Sequence, residues 1–275
     1  MHHTCDLSII SDCHLGTRNC RDEELHDYLC SVRPKRLIIN GDLCDLGAYF
    51  TRYWPESHQL ILERLMELAH TGTEVVYVIG NHDAPLMRFA DLTPGIALTD
   101  EYRCTYFGRR MLITHGHRFD HLLCRWPLLR RLGGAGYDAL QTCETALNRA
   151  TGLMGFPSWR FVNAIKHRVP GARAAIVAFE QAAVELALAE DVDVICCGHI
   201  HVPRAIEHER DGRAVAYLNS GDWVEHCTAL EAQDGAFCLH HHSLHPASAG
   251  VDDWDEDAAD GIQTTTTATP AGAGA

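Results

Sequence analysis

Five short clusters hold the residues of this 275-residue chain that could do chemistry. In order they are Asp12-Cys13-His14, Gly41-Asp42-Leu43-Cys44-Asp45, Gly80-Asn81-His82-Asp83, His115-Gly116-His117 and Gly198-His199-Ile200-His201. Each follows an apolar run that reads as a buried strand, and each supplies Asp, Asn or His, most beside a glycine. Imidazole nitrogens mixed with carboxylate and amide oxygens suit manganese, iron, zinc or cobalt, whereas calcium prefers cages of oxygen alone. Singly, an Asp-x-His, a Gly-Asn-His-Asp or a Gly-His-x-His is more often a surface accident or a turn than a ligand set. Their joint occurrence, in order and each behind an apolar run, reverses that balance. It predicts a hydrolytic centre with two divalent cations, manganese expected first.

Two cations need a shared carboxylate to screen their repulsion, and Asp42 is the candidate. Asp12, His14, Asp42 and His201 are assigned to one ion; Asp42, Asn81, His115 and His199 are assigned to the other. Only Asp12 and Asp42 carry charge, so two divalent ions would leave an excess of roughly +2 to attract a phosphate. A water between the ions, acidified toward neutrality, would attack phosphorus in line. His82 lies one residue past Asn81 and is expected to face substrate, assisting the leaving oxygen as a cation or proton donor. Asp45 and Asp83 are expected to accept hydrogen bonds that orient these groups. His117 stays open between ligand and backbone-bonding loop residue. The tract His240-His241-His242 reads as strand-end surface and not as a metal site.

Sheets must present these loops. Cys5 to Ser11, Arg36 to Asn40 and Glu74 to Ile79 read as strands, separated by amphipathic helices over Asp22 to Val32 and Glu56 to Ala69. That alternation favours parallel pairing with right-handed crossovers. Tyr102 to Phe107 and Arg110 to Thr114 read as a hairpin about Gly108. Asp193 to Cys197, Arg204 to His208, Ala214 to Asn219 and Ala236 to His241 read as mostly antiparallel strands. Two stacked sheets with helices outside accommodate all of these.

Residues 121–189 interrupt the pattern with Leu, Trp, Ala and Arg at helical spacing, read as an inserted helical lid. The main domain is then expected over residues 1–120 and 190–245, and a disordered acidic and Thr/Ala-rich tail over 246–275. Net charge is −14, which disfavours nucleic acid. Between Arg103 and Arg173, however, twelve Lys or Arg face three acids, a local excess of nine that leaves −23 on the rest. A basic island on an acidic body points to one anionic partner. Leu122 to Leu132 interleaves Leu and Trp126 with Arg125, Arg130 and Arg131; it suits lid packing, an acyl chain or an anionic membrane surface. Within the lid, Lys166 and Arg168 are candidates for phosphate contacts, Trp159 for stacking on a base, and Asn148 for a sugar hydrogen bond. Twelve cysteines without a C-x-x-C pair suggest reduced thiols. The chain's start lacks a basic region followed by an apolar stretch, and no run of about 18 apolar residues exists. A cytoplasmic protein, peripheral on the inner membrane face through the lid, is expected; the oligomeric state is open.

The motifs D-x-H, G-D-x-x-D, G-N-H-D, H-G and G-H-x-H, as quoted above, resemble those of the calcineurin-like metallophosphoesterase superfamily. The resemblance spans about residues 6 to 241 and implies a mixed α/β, four-layer αββα sandwich around a dimetal centre. Ser11-Asp12-Cys13-His14-Leu15-Gly16, the lid with Ala146-Leu147-Asn148, Pro157-Ser158-Trp159 and Lys166, and Leu218 to Thr228 resemble the UDP-2,3-diacylglucosamine diphosphatase group. That likeness implies hydrolysis of a diphosphate bond in a nucleotide-linked glycolipid, a step of lipid A biosynthesis. That group carries Arg where this chain has His82 and Asp where it has His117, which marks a related branch. The alternatives are a phosphodiesterase or phosphatase acting on small soluble nucleotides, and a non-catalytic scaffold.

Overall fold

The computed structural model describes residues 3–46, 53–92, 95–120, 172–210, 212–243 and 263–268. The first apolar runs form β1 (His3–Ile10), β2 (Val32–Asn40) and β3 (Glu74–Val78), hydrogen-bonded in parallel. Parallel neighbours need crossovers, and α1 (Asp22–Ser31) and α2 (Glu56–His70) provide them. Asp22, Glu23 and Glu24 occupy the first turn of α1, where acids suit the positive end of the helix dipole. On α2, Ile61, Leu65 and Leu68 are buried as their spacing requires, but Met66 is exposed at the stripe's edge. A short strand, β4 (Ile96–Thr99), adds to β3 in parallel. The expected hairpin is β5 (Tyr102–Tyr106) and β6 (Arg109–Ile113), turning at Phe107 and Gly108. Both turn residues have positive φ, the geometry that matches strand twist in a two-residue loop.

A long helix, α3 (Ala172–Ala189), leads into β7 (Val194–Cys197), followed by β8 (Arg204–Arg210), β9 (Arg213–Asn219), β10 (Thr228–Gln233) and β11 (Ala236–Ser243). The first sheet runs β11-β10-β1-β2-β3-β4 and the second β5-β6-β7-β9-β8, with β12 (Gln263–Ala268) added beyond β11. Of the later strands, β8 pairs antiparallel with β9 and β11 with β10, as expected, whereas β7, at the centre of its sheet, is parallel to both β6 and β9. Within the C-terminal stretch, Gln263–Ala268 form β12, whose backbone pairs in parallel with the edge of β11.

Two apolar layers hold the sheets. Leu7, Ile9, Ile38, Val76 and Val78 of the first sheet meet Met111, Ile113, Val194, Cys196 and Leu218 of the second. On the other face of the first sheet, Ile10, Leu37 and Ile39 pack with Leu25, Tyr28 and Leu29 of α1 and Ile61, Leu65 and Leu68 of α2. Each buried Leu or Ile stabilises by about 1.5–3 kcal/mol, which anchors the strands that carry the candidate loops. This is the mixed α/β architecture of two sheets expected from the sequence. The ten cysteines among the described residues are free thiols.

Residues Met1–His117 with Val184–Ala275 form one compact unit, and Arg118–Ala183 form a second. Within the second, Phe119 sits edge-on to Phe179 at 5.2 Å. Asn148, Trp159, Lys166, Arg168 and the segment 122–132 lie outside the described residues. No described helix is long and apolar enough to cross a membrane. Part of the basic island is neutralised locally: Arg103 pairs with Glu101 and Glu190, Arg109 with Glu207, and Arg110 with Asp191 and Asp193. Burial also corrects one expectation, since His240 and His242 are only 4% and 5% exposed, on the α1 side of the first sheet.

Candidate metal centre

Every one of the five clusters begins within three residues of a strand's carboxyl end: Asp12 follows β1, Asp42 β2, Asn81 β3, His115 β6 and His199 β7. Ligand sites in α/β sheets gather at such ends. The chain must turn sharply there, and it does so through the ligand candidates themselves. Asp12, His14, Asp42, His199 and His201 have φ between +52° and +70°. A left-handed conformation costs a non-glycine residue roughly 1–2 kcal/mol and persists where neighbours over-determine it. Here the Asp12 amide donates to the Gly41 carbonyl at 3.1 Å, and the Cys13 and His14 amides donate to the Asp42 carbonyl at 3.0 and 2.9 Å. Gly80 has no alternative residue: a Cβ there would fall on the Asp42 carboxylate.

Asp12, His14 and His201 form one group, with ligand atoms within 4.8 Å of one another. His201 Nδ1 donates to Asp222 Oδ2 at 2.8 Å, which leaves a lone pair on Nε2. That Nε2 stands 3.3 Å from His14 Nε2 and 3.4 Å from Asp12 Oδ1. Asp12 Oδ2 accepts the His199 amide at 2.9 Å, whereas Oδ1 is buried with no hydrogen-bond partner. A cation would satisfy that oxygen and both imidazoles.

Asp42, His115 and His199 form a second group. His115, fully buried, donates from Nδ1 to the Asn40 carbonyl at 2.8 Å. Its Nε2 is 3.2 Å from Asp42 Oδ2 but has no hydrogen-bond partner of good geometry. Burial alone would push the imidazole down, yet Asp42 and Asp12 outweigh it and raise it to about 9. The same attraction overcomes burial at Asp42 and holds its carboxyl well below the ordinary range. An anionic pocket this strong calls for positive charge, which a proton supplies when no ion does. The donor set and its two orphaned atoms therefore fit a pair of divalent ions.

Asn81 is exposed, its backbone fixed on either side by Gly80 N–H to Asp83 and His82 N–H to Asp42 Oδ1 at 2.9 Å. His82 Nδ1 lies 3.2 Å from Asp45 Oδ1, and the ring stands edge-on to His14 at 4.9 Å. The hydrogen bond to Asp45 raises the His82 imidazole against the effect of burial, with Asp42 adding to the rise. Asp45 also lies 3.8 Å from His14 Nδ1, so His14, Asp45 and His82 make a further compact group. Asp83 accepts Gly80 N–H at 2.7 Å, Leu43 N–H at 2.9 Å and the Tyr77 hydroxyl, stapling the β2 loop to the β3 loop. His117 is exposed, its ring 5.8 Å from His115 and outside both groups.

The calcineurin-like phosphoesterase profile matches residues 7–203 of this chain, which include all five clusters. The chain belongs to that family. It is a phosphoester hydrolase of the family whose members use divalent metal ions. A UDP-2,3-diacylglucosamine hydrolase of Marinobacter nauticus is 27% identical over 245 residues, covering 86% of this chain and 97% of that protein. Among solved structures, zinc-bound Vps29 of Entamoeba histolytica is 15% identical, with a TM-score of 0.40, covering 88% of this chain and 94% of that one. The phosphoesterase Yfce of E. coli is 18% identical, with a TM-score of 0.38, covering 82% and 86%.

Sequence reasoning misses Asp222 as a functional residue, although it lies in the Leu218 to Thr228 stretch. Fully buried, it accepts the Glu225 and His226 amides at 3.0 and 2.8 Å besides His201. Burial opposes its charge, but His226 and His201 hold it ionised well below the usual range. Carboxylates behind ligating histidines fix ring and tautomer, and their loss typically lowers metal affinity 10–100-fold. Asp222→Ala is expected to weaken Mn2+ binding by about that factor in calorimetric titration. Asp222→Asn, which keeps the acceptor oxygen, should lose less. Equal affinities in all three proteins would remove Asp222 from the site.

Proposed function

We propose that this phosphoester hydrolase works with two divalent ions, manganese foremost, and cleaves a diphosphate or phosphate-ester bond in a nucleotide-linked glycolipid such as UDP-2,3-diacylglucosamine. The observation that carries the metal reading is the pair of orphaned buried atoms, Asp12 Oδ1 and His115 Nε2, one in each ligand group. Asp12, His14, Asp42 and His201 would hold one ion, and Asp42, Asn81, His115 and His199 the other. Bound there, the ions would supply Lewis acidity, polarising phosphoryl oxygens and lowering the pKa of water. The chain's residues do the rest. Asp42 screens the two positive charges, and Asp222 orients His201. Asp83 sets the distance between the β2 and β3 loops, and His82, held by Asp45, gives a proton to the leaving oxygen.

The lipid-linked substrate is supported by the Marinobacter relative, matched over nearly its whole length, and by the Leu- and Arg-rich segment 122–132. We assign that segment to the acyl chains or to an anionic membrane surface on the cytoplasmic side, with Lys166, Arg168, Trp159 and Asn148 as further substrate contacts. His82 in place of arginine favours the second reading, hydrolysis of small soluble nucleotides. Deleting residues 122–132 separates the two. Hydrolysis of UDP-2,3-diacylglucosamine in mixed micelles is expected to fall at least about 100-fold while a small chromogenic phosphodiester is still cleaved, a differential of about 2.7 kcal/mol in transition-state binding. Equal retention of both activities would sink the lipid reading and leave the nucleotide one.

A further inference from the structure

A second set of metal-type donors lies away from the five loops, on the α1-facing side of the first sheet. It joins residues from three neighbouring strands: His3 on β1, Glu231 on β10 and His240 on β11. Alternation along β11 puts His240 and His242 on one face and His241 on the other, and cross-strand pairing of Ser8 with Glu231 brings that carboxylate to the same face. Glu231 Oε1 is 2.9 Å from His3 Nε2 and 3.9 Å from His240 Nδ1, and all three ligand atoms lie within 4.8 Å of one another. The rings of His3 and His240 are stacked at 5.5 Å. Behind them, the Tyr28 hydroxyl donates to Glu231 Oε1 at 2.8 Å and lies 2.8 Å from Ser8 Oγ.

Spacing and charge both suit a cation. Ligand bonds of about 2.1 Å in a tetrahedral site put donor atoms roughly 3.4 Å apart, between the two separations found. Glu231 and His240 are 7% and 4% exposed, while the His3 side chain is 38% exposed and gives an entry path. Burial would push the Glu231 carboxyl up, but the His3 hydrogen bond and His240 keep it below its ordinary value, so the buried carboxylate is ionised. Burial pushes His240 down to about 4, which leaves that ring neutral near pH 7. The Glu231 hydrogen bond raises His3, whose proton then balances the carboxylate. An ion would take over that role. The three ligands sit within strands β1, β10 and β11, and none of them belongs to the five loops.

We propose that His3, Glu231 and His240 bind a separate transition-metal ion of the zinc or cobalt class, which ties β1 to β10 and β11 and takes no part in hydrolysis. The test is the metal content of the full chain, stripped by chelation, reloaded with Zn2+ or Co2+ and desalted. His240→Ala and His3→Gln are each expected to hold one equivalent fewer than the unsubstituted chain, with phosphoesterase activity unchanged. The thermal midpoint of the unsubstituted chain should rise as that equivalent binds, as for any ligand that binds only the folded state, and the variants should lack the rise. His3→Gln sits at a part-exposed position and keeps the test open if His240→Ala fails to fold. The readout is the difference between proteins, so it stands whether the five loops hold two ions or none. Equal metal content in the unsubstituted chain and His3→Gln, with no difference in melting, would overturn the proposal and leave the cluster as a hydrogen-bonded network.

Discussion

Asp42→Asn is expected to lower turnover of a phosphodiester at least about 10³-fold, some 4 kcal/mol of transition-state stabilisation. The substitution is nearly isosteric. An asparagine oxygen can still accept the His82 amide that Oδ1 now holds, so the β2 and β3 loops should keep their arrangement. What disappears is a charge. Two divalent ions beside each other repel strongly in a buried site, where Coulomb energies are several times those in water. Asp42 is one of only two anions in the proposed ligand set, and it is 2% exposed, so no solvent replaces its screening. Elemental analysis should therefore find one ion or fewer per chain where the unsubstituted protein is expected to hold two. A variant that keeps both ions and more than a tenth of the activity would show that Asp42 does not bridge them.

How far the sequence can be read follows from what each signal depends on. The apolar runs that precede Asp12, Asp42, Asn81, His115 and His199 are β1, β2, β3, β6 and β7, so the loops that must converge are legible as strand ends. Local pattern suffices there, because a strand buried on both faces is apolar throughout. Pairing is a different matter: nothing in Val194 to Cys197 says that its neighbours are both parallel. The strand Thr228–Gln233 carries Glu231 among apolar residues, and its polarity hides it. Alternation groups His240 with His242, but only the docking of α1 decides that this face is interior. Asp222 lies 21 residues beyond His201, and their contact depends on the turn that follows β9. The arginine excess is plain along the chain, yet Glu101, Glu190, Asp191, Asp193 and Glu207, which neutralise part of it, lie outside the stretch from Arg103 to Arg173.

His82→Ala should reduce turnover about 10²- to 10⁴-fold, the usual range for a positioned proton donor, while leaving metal content unchanged. The ring is well placed for that role. Its Nδ1 faces Asp45 at 3.2 Å, its side chain is 37% exposed, and Asp45 and Asp42 favour the protonated form over the effect of burial. Its position also allows a competing role, since His14, Asp45 and His82 form a compact donor group that could itself take an ion. Metal analysis decides between them: loss of one equivalent in His82→Ala would move His82 into the ligand set. His82→Arg then separates charge from proton transfer. Arginine keeps a cation at the position but does not release its proton at any working pH. If His82 acts by charge alone, His82→Arg should recover most of the activity lost in His82→Ala. If it delivers a proton to the leaving oxygen, the arginine variant should stay within about tenfold of the alanine one. The deficit of both should shrink on substrates whose leaving group is acidic enough to depart unprotonated, such as a nitrophenyl ester.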